Sequence, residues 1–200
     1  MNFLDQIDQP TLLVDEKIAR QNISRMAARA KKNQVLFRPH FKTHQSAEVG
    51  EWFRENGVSR ITVSSVEMAE YFALHGWQDI TIAFSMNIRQ LERIEKLACK
   101  IQLGVLVENS VEVESLSKLR ECKVNVWVKV DVGNQRTGVD WQNVDAVSNL
   151  CQQIKGAPAL TLMGLLTHSG HTYKAGTPEA VCAIFREGIS RLNHLRDELK

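Results

Sequence analysis

Three short stretches hold most of the residues able to move protons, bind an anion or act as a nucleophile. The first is Arg38-Pro39-His40-Phe41-Lys42-Thr43-His44, at the end of the candidate strand Val35 to Arg38. A strand period of two sets Arg38, His40 and Lys42 on one face. Three potentially cationic groups turned inward are costly unless they meet an anion or one becomes neutral, and lysine is the group whose pKa falls readily beside other cations. A neutral lysine is a nucleophile. Spacing leaves open the alternative of a solvated loop that carries these residues past the sheet.

The second stretch runs from Val128 through Lys129, Asp131, Gly133 and Arg136 to Gly138. Lys129 and Asp131 share a strand face, and the two glycines permit positive φ and close backbone approach in the turn that follows. Arg136 can hydrogen-bond an oxyanion without losing its charge. The plainer reading is a structural Asp131 paired with Lys129 or Arg136. The third stretch is His168-Ser169-Gly170-His171-Thr172-Tyr173. His168 and His171 have the spacing of a metal pair, but no helix or attendant glutamate supports a zinc-protease site. Each imidazole could equally be a hydrogen-bonded structural residue. Alternatively, one packs flat against a planar cofactor while Tyr173 donates or accepts a proton.

These stretches need strand ends to hold them. Strand candidates are Val35 to Arg38, Ile61 to Ser64, Ile80 to Ala83, Leu103 to Val107, Val124 to Val130 and Leu162 to Thr167. Helical spacing marks Ser46 to Glu55, Val66 to His75, Ile88 to Cys99, Val111 to Arg120, Val144 to Ile154 and Pro178 to Leu199. A further helix, Glu16 to Lys32, starts from Asp15 as N-cap. Such alternation predicts a parallel sheet covered by helices, either doubly wound or an eight-unit barrel. Six units at about 25 residues each fall roughly 50 residues short of a closed barrel, so a barrel cut short is expected, ending on the charged stretch Arg196 to Lys200.

Composition narrows the function. Among 200 residues, 25 basic and 23 acidic side chains give a net charge of +2, and 44% of residues are hydrophobic. Interspersed charge of this balance offers no basic field for a phosphate backbone, so nucleic acid is not an expected partner. The longest apolar runs fall far below the roughly 18 residues of a membrane span. Residues 1–10 lack the basic and apolar regions of a secretory signal, which predicts a cytoplasmic protein. Cys99, Cys122, Cys151 and Cys182 are widely separated and read as free thiols. The four tryptophans read as packing residues, Gly104 and Gly164 as close approaches or bends within strands, and His75 and His194 as solvent-facing.

Taken in order, Pro10-Thr11-Leu12-Leu13-Val14-Asp15 and the three chemical stretches resemble the fold-type III pyridoxal phosphate (PLP) enzymes. The resemblance is to the branch containing D-threonine aldolase and eukaryotic-type D-serine dehydratase, within the alanine racemase N-terminal domain superfamily. It implies an α/β fold, a (β/α)8 TIM barrel of the alanine racemase N-terminal type. Residues 1–200 would form one PLP-binding barrel domain, truncated after about six βα units and lacking the C-terminal β domain. It further implies that Lys42 forms the Schiff base with PLP, that Arg136 contacts the cofactor's phenolic oxygen and that His168 lies against its ring. Lys129 would flank Arg136, and His40, His171 and Tyr173 would line the cofactor and substrate cavity, with Lys42, His171 and Tyr173 as the catalytic candidates.

The activity implied is a lyase acting on D-β-hydroxy amino acids. In the first reading, aldolase-like, Cα–Cβ cleavage yields glycine and an aldehyde. In the second, a D-serine or 3-hydroxyaspartate dehydratase forms a keto acid and ammonia. A divalent metal, Mn or Zn, would polarise the β-hydroxyl from the absent C-terminal domain. An amino-acid racemase and a non-catalytic PLP homeostasis protein are the remaining alternatives. A homodimer is the assembly this resemblance implies.

Overall fold

The computed structural model describes residues 3–199, so the parts of the expectations for residues 1–10 and 196–200 that rest on Met1, Asn2 and Lys200 lie outside the described residues. Helix α1 (Glu16–Lys32) begins where the sequence placed it, with the Asp15 carboxylate accepting from the Ile18 N–H at 2.9 Å. Glu16 lies in its first turn and Arg29, Lys31 and Lys32 in its last, which complements the helix dipole. Five later helices start on side-chain caps of the same kind. Ser46, Ser65, Asn109, Asn143 and Thr177 open α2 (Ala47–Arg54), α3 (Val66–Leu74), α5 (Ser110–Leu116), α6 (Val144–Gly156) and α7 (Pro178–Glu198). Helix α4 (Leu91–Ala98) instead follows a 3-10 turn at Ile88–Gln90.

Between the helices run β1 (Ile61–Val63), β2 (Asp79–Ser85), β3 (Gln102–Val107), β4 (Val124–Asp131) and β6 (Leu160–Leu166), all parallel and paired in that order. A two-residue strand, β5 (Val139–Asp140), pairs in parallel with Val130 and Asp131 at the end of β4. No sequence pattern marked β5, because two residues are too few to show a period. This is the expected parallel α/β architecture with about six strand–helix units.

Register separates the sheet into two faces. Ile61, Ile80 and Leu103 stand side by side, and with Val124, Val126, Val128 and Val130 they join Phe72, Ile94, Leu116 and Ile154 in one buried cluster under the helices. On the opposite face Thr62, Thr81, Gly104, Asn125 and Thr161 form a continuous row, and His40 extends it through a bridge to Thr62. The inner face of a barrel ordinarily carries Val, Ile and Leu; here this row is small and polar, and Leu106, Trp127 and Leu166 follow on the same face toward the strand ends.

Three expectations are corrected. Val35 to Arg38 is not a strand: the backbone pairs with β1 just beyond it, through the bridge from His40 to Thr62 and the Thr62 N–H to Pro39 carbonyl bond (2.8 Å). Pro39 has no N–H to donate, which prevents a regular ladder at this point. Helix α5 stops at Leu116 rather than reaching Arg120, because the Glu95 carboxylate accepts from the Arg120 and Glu121 amides at 2.7 and 3.0 Å. Cys99 and Cys122 form a disulfide, leaving Cys151 buried and Cys182 exposed as free thiols. Cytosolic thiols ordinarily keep such pairs reduced. His75 and His194 are exposed as expected, and Trp77 is buried.

Candidate active site

The first chemical stretch divides into a structural end and a chemical end. Arg38 does not stand beside Lys42. Its guanidinium meets the Asp79 carboxylate at 2.8 Å and the Ile61 carbonyl at 3.1 Å, at the N-terminal ends of β2 and β1. The cost of turning this cation inward is thereby offset by a partner of opposite charge. Strand alternation ends at His40, whose ring Nδ1 accepts from the Lys42 N–H at 3.3 Å and caps a 3-10 turn at Phe41–Thr43. Phe41, fully buried, anchors that turn, with ring centroids 5.1 Å from Phe53, 5.0 Å from Phe72 and 5.1 Å from Trp77. The Lys42 side chain is exposed at the strand ends. His44 belongs to the aromatic nest: its Nδ1 accepts from the Ser46 N–H at 3.1 Å, its ring stacks on Phe53, and burial lowers its pKa.

The turn after β4 is organised by a carboxylate. Asp131 Oδ1 accepts from the Gly133 and Asn134 amides, both at 2.8 Å, and Oδ2 accepts from the Arg136 amide at 3.2 Å. The expected pairing of Asp131 with the side chain of Lys129 or Arg136 gives way to this role, since backbone amides occupy the carboxylate. Gly138 has φ +109°, and a Cβ there would lie 2.9 Å from the Asp131 amide nitrogen, so only glycine lets the chain return alongside β4. Lys129, 3% exposed, is pulled down in pKa by burial and by Arg136, while Glu108, Glu112 and Asp131 pull it up.

A β-bulge between Val126 and Trp127 sets Gly164 opposite Trp127 and Leu166 opposite Lys129. His168, two residues beyond Leu166, therefore projects on the inner side. Burial lowers its pKa, with Arg136, Lys42, Lys129 and His171 adding in the same direction. His40 is pushed down to about 4 by burial, Lys42 and His168. Both imidazoles are thus neutral near pH 7. A 3-10 turn at Gly170–Lys174 carries His171 and Tyr173, and the two strand-end loops meet at Gly170, where a Cβ would lie 2.8 Å from His168 Nε2 and 3.0 Å from Asn134 Oδ1. The Tyr173 ring lies 6.1 Å from that of His168 and is largely exposed at the rim. His171 Nδ1 and Thr167 Oγ1 are buried without a hydrogen-bond partner.

His40, Lys42, Lys129, Arg136, His168 and His171 therefore fall within one electrostatic neighbourhood at the C-terminal ends of the strands, with Tyr173 at its edge. Sequence reasoning missed two supports. Glu108 follows the last residue of β3 and accepts from both the Ser85 hydroxyl and the Gly138 amide. Arg191 reaches from α7 to the Val132 carbonyl at 2.6 Å, and its guanidinium lies 5.2 Å over the Trp141 ring. Position just past a strand end was the available signal for Glu108; Arg191, in mid-helix, offered none. Among the described residues no group of three or more His, Cys, Asp or Glu is placed to hold a metal ion, and no helix is long and apolar enough to cross a membrane. The arrangement is suited to a planar anionic ligand: fixed cations flank neutral imidazoles, and two buried polar atoms lack partners.

Comparison with known proteins agrees with this geometry. Residues 14–200 match the family described as alanine racemase, N-terminal domain. The D-threo-3-hydroxyaspartate dehydratase of Delftia sp. (strain HT23) is 30% identical over 182 residues, covering 89% of this chain and 48% of the relative. Its solved structure superposes with a TM-score of 0.90 over 96% of this chain and 52% of that one. The D-serine dehydratase of Dictyostelium discoideum is 28% identical across 88% of this chain and 48% of the relative. The D-threonine aldolase of Arthrobacter sp. is 28% identical across 92% of this chain and 49% of the relative. The chain thus spans about half the length of the curated relatives it matches.

Proposed function

Because the chain belongs to the alanine racemase N-terminal domain family, we propose that it holds PLP through Lys42 and serves a lyase acting on β-hydroxy D-amino acids. The observation that carries this reading is the convergence of Lys42, Arg136 and two neutral imidazoles at one end of a parallel sheet. The residues fit the group: the unpartnered His171 Nδ1 and Thr167 Oγ1 are what a polar ligand would satisfy.

Lys42 is the amine that holds the cofactor, and the bond from its N–H to His40 fixes its backbone while leaving the side chain free. Arg136 would meet the cofactor's phenolic oxygen, with a charge that persists across the working pH range. Lys129 flanks it and reinforces the positive field. His168 would lie against the ring, and its lowered pKa favours the neutral imidazole, which would add no further cation. His171 and Tyr173, both on the 3-10 turn, would be the candidates for holding or moving a proton at the substrate's Cα or β-hydroxyl. When bound, PLP supplies an electron sink for the bond broken at Cα.

Aldol cleavage to glycine and an aldehyde is the first reaction proposed. Dehydration to a keto acid and ammonia is the second, favoured by the 30% identity to the Delftia dehydratase. The divalent metal, the homodimer and the cytoplasmic setting belong to this proposal. The test adds PLP to the protein, follows the absorbance near the visible edge, then supplies D-threonine or D-serine with Mn or Zn and measures glycine and pyruvate separately. A new band with glycine release supports the aldolase, and a band with pyruvate the dehydratase. No band overturns the PLP reading.

A further inference from the structure

We infer that Glu108 is a positioning residue that sets Arg136, and through it the affinity for the cofactor; the inference rests on the PLP reading above. Glu108 stands one residue beyond β3 and ties three strand ends together. One carboxylate oxygen takes the Ser85 hydroxyl from the end of β2, and the other takes the Gly138 amide, one residue before β5. Its own N–H donates to Glu112 Oε2 at 2.7 Å, which holds the residue in place from the first turn of α5.

The remaining amides of the turn show why this tie matters. Gly133, Asn134 and Arg136 all donate to Asp131, so the first half of residues 132–138 is fixed from β4 itself. The second half, beyond Arg136, is fixed at Gly138 by Glu108 alone among side-chain acceptors of the described residues. Two carboxylates on neighbouring strands therefore clamp the arginine between them. A carboxylate accepting from a backbone N–H is stronger than a neutral acceptor. Glu108 also lies close enough to Lys129 to favour the charged form of that buried lysine beside Arg136.

The test combines amide hydrogen exchange with PLP binding. Glu108→Ala is expected to speed exchange at the Gly138 amide at least tenfold while the Gly133 and Asn134 amides, held by Asp131, keep their protection. The Kd for PLP should rise about tenfold. Glu108→Gln, which keeps the shape and an acceptor, should retain most of the protection and affinity. In an Arg136→Ala background, Glu108→Ala should add little to Kd, because both changes remove the same contact. Unchanged exchange at Gly138, or a loss of affinity that persists in full in the Arg136→Ala background, overturns the inference. Should Glu108→Ala not fold, Ser85→Ala cuts the tie to β2 and is expected to show the same signature in smaller measure. A wild-type protein that binds no PLP would overturn the functional reading, while Gly138 exchange would still decide whether Glu108 sets the turn.

Discussion

On the outer face of the sheet Ile61, Ile80 and Leu103 stand in register and are fully buried, whereas on the inner face the adjacent row is Thr62, Thr81, Gly104 and Asn125. The strands are the same, so the difference comes from what each face meets. Helices α3 to α6 cover the first and reward apolar area. The second leads up to Lys42, Lys129, Arg136 and His168, where polar groups lower stability unless something binds them. Outer-face substitutions should therefore change stability with little effect on ligand binding, and inner-face substitutions at strand ends should do the reverse.

The comparison breaks most sharply at Lys42. Lys42→Ala is expected to eliminate the borohydride-reducible PLP adduct while shifting unfolding stability by less than about 0.5 kcal/mol, since the side chain is exposed. An adduct surviving at another lysine would refute the assignment. Next in size is Ile80→Ala on the outer face, expected to cost about 2–5 kcal/mol in urea unfolding and to leave the Kd for PLP of the folded protein unchanged. A matching loss of affinity would mean that the two faces are not separable.

Smallest is the acid response. His40, His44 and His168 all have folded-state pKa values below that of an unfolded histidine. The unfolded chain therefore takes up protons first as pH falls below about 6.5. Stability is fully present above that value and is lost as pH falls through about 4 for His40. The share of His40, discounted for solvent screening, is about 2 kcal/mol, and His44 and His168 act in the same direction; the sum is measurable as a lower urea midpoint at pH 5 than at pH 7.5. A midpoint that does not fall would mean that the imidazoles are not held neutral by the fold.

Much of this arrangement was legible because its determinants are local. Asp15 caps α1, and the runs at Ile61, Leu103, Val124 and Leu162 show the apolar character that strands need. The three chemical stretches could be found because parallel sheets bring successive strand ends together. What was missed is non-local. The Arg38–Asp79 pair joins residues 41 positions apart, and the Cys99–Cys122 bond spans 23. Glu108 reaches a partner amide 30 residues away. Residue type and spacing carry no trace of such pairings, and a resemblance that supplies motifs at strand ends does not supply the carboxylates that hold the loops between them.

Strands β4 and β5 are parallel yet joined only by residues 132–138, where a crossover of a dozen or more residues is the rule. Closing so short a loop costs little chain entropy, and contacts of low sequence separation form early. During folding, the Asp131 half of the turn can organise on β4 before α6 and α7 dock. The Glu108 clamp must wait for β3 and β4 to meet. The segment that carries Arg136 is thus assembled in two stages, the first written into the consecutive residues 131–136 and the second into the topology of the sheet.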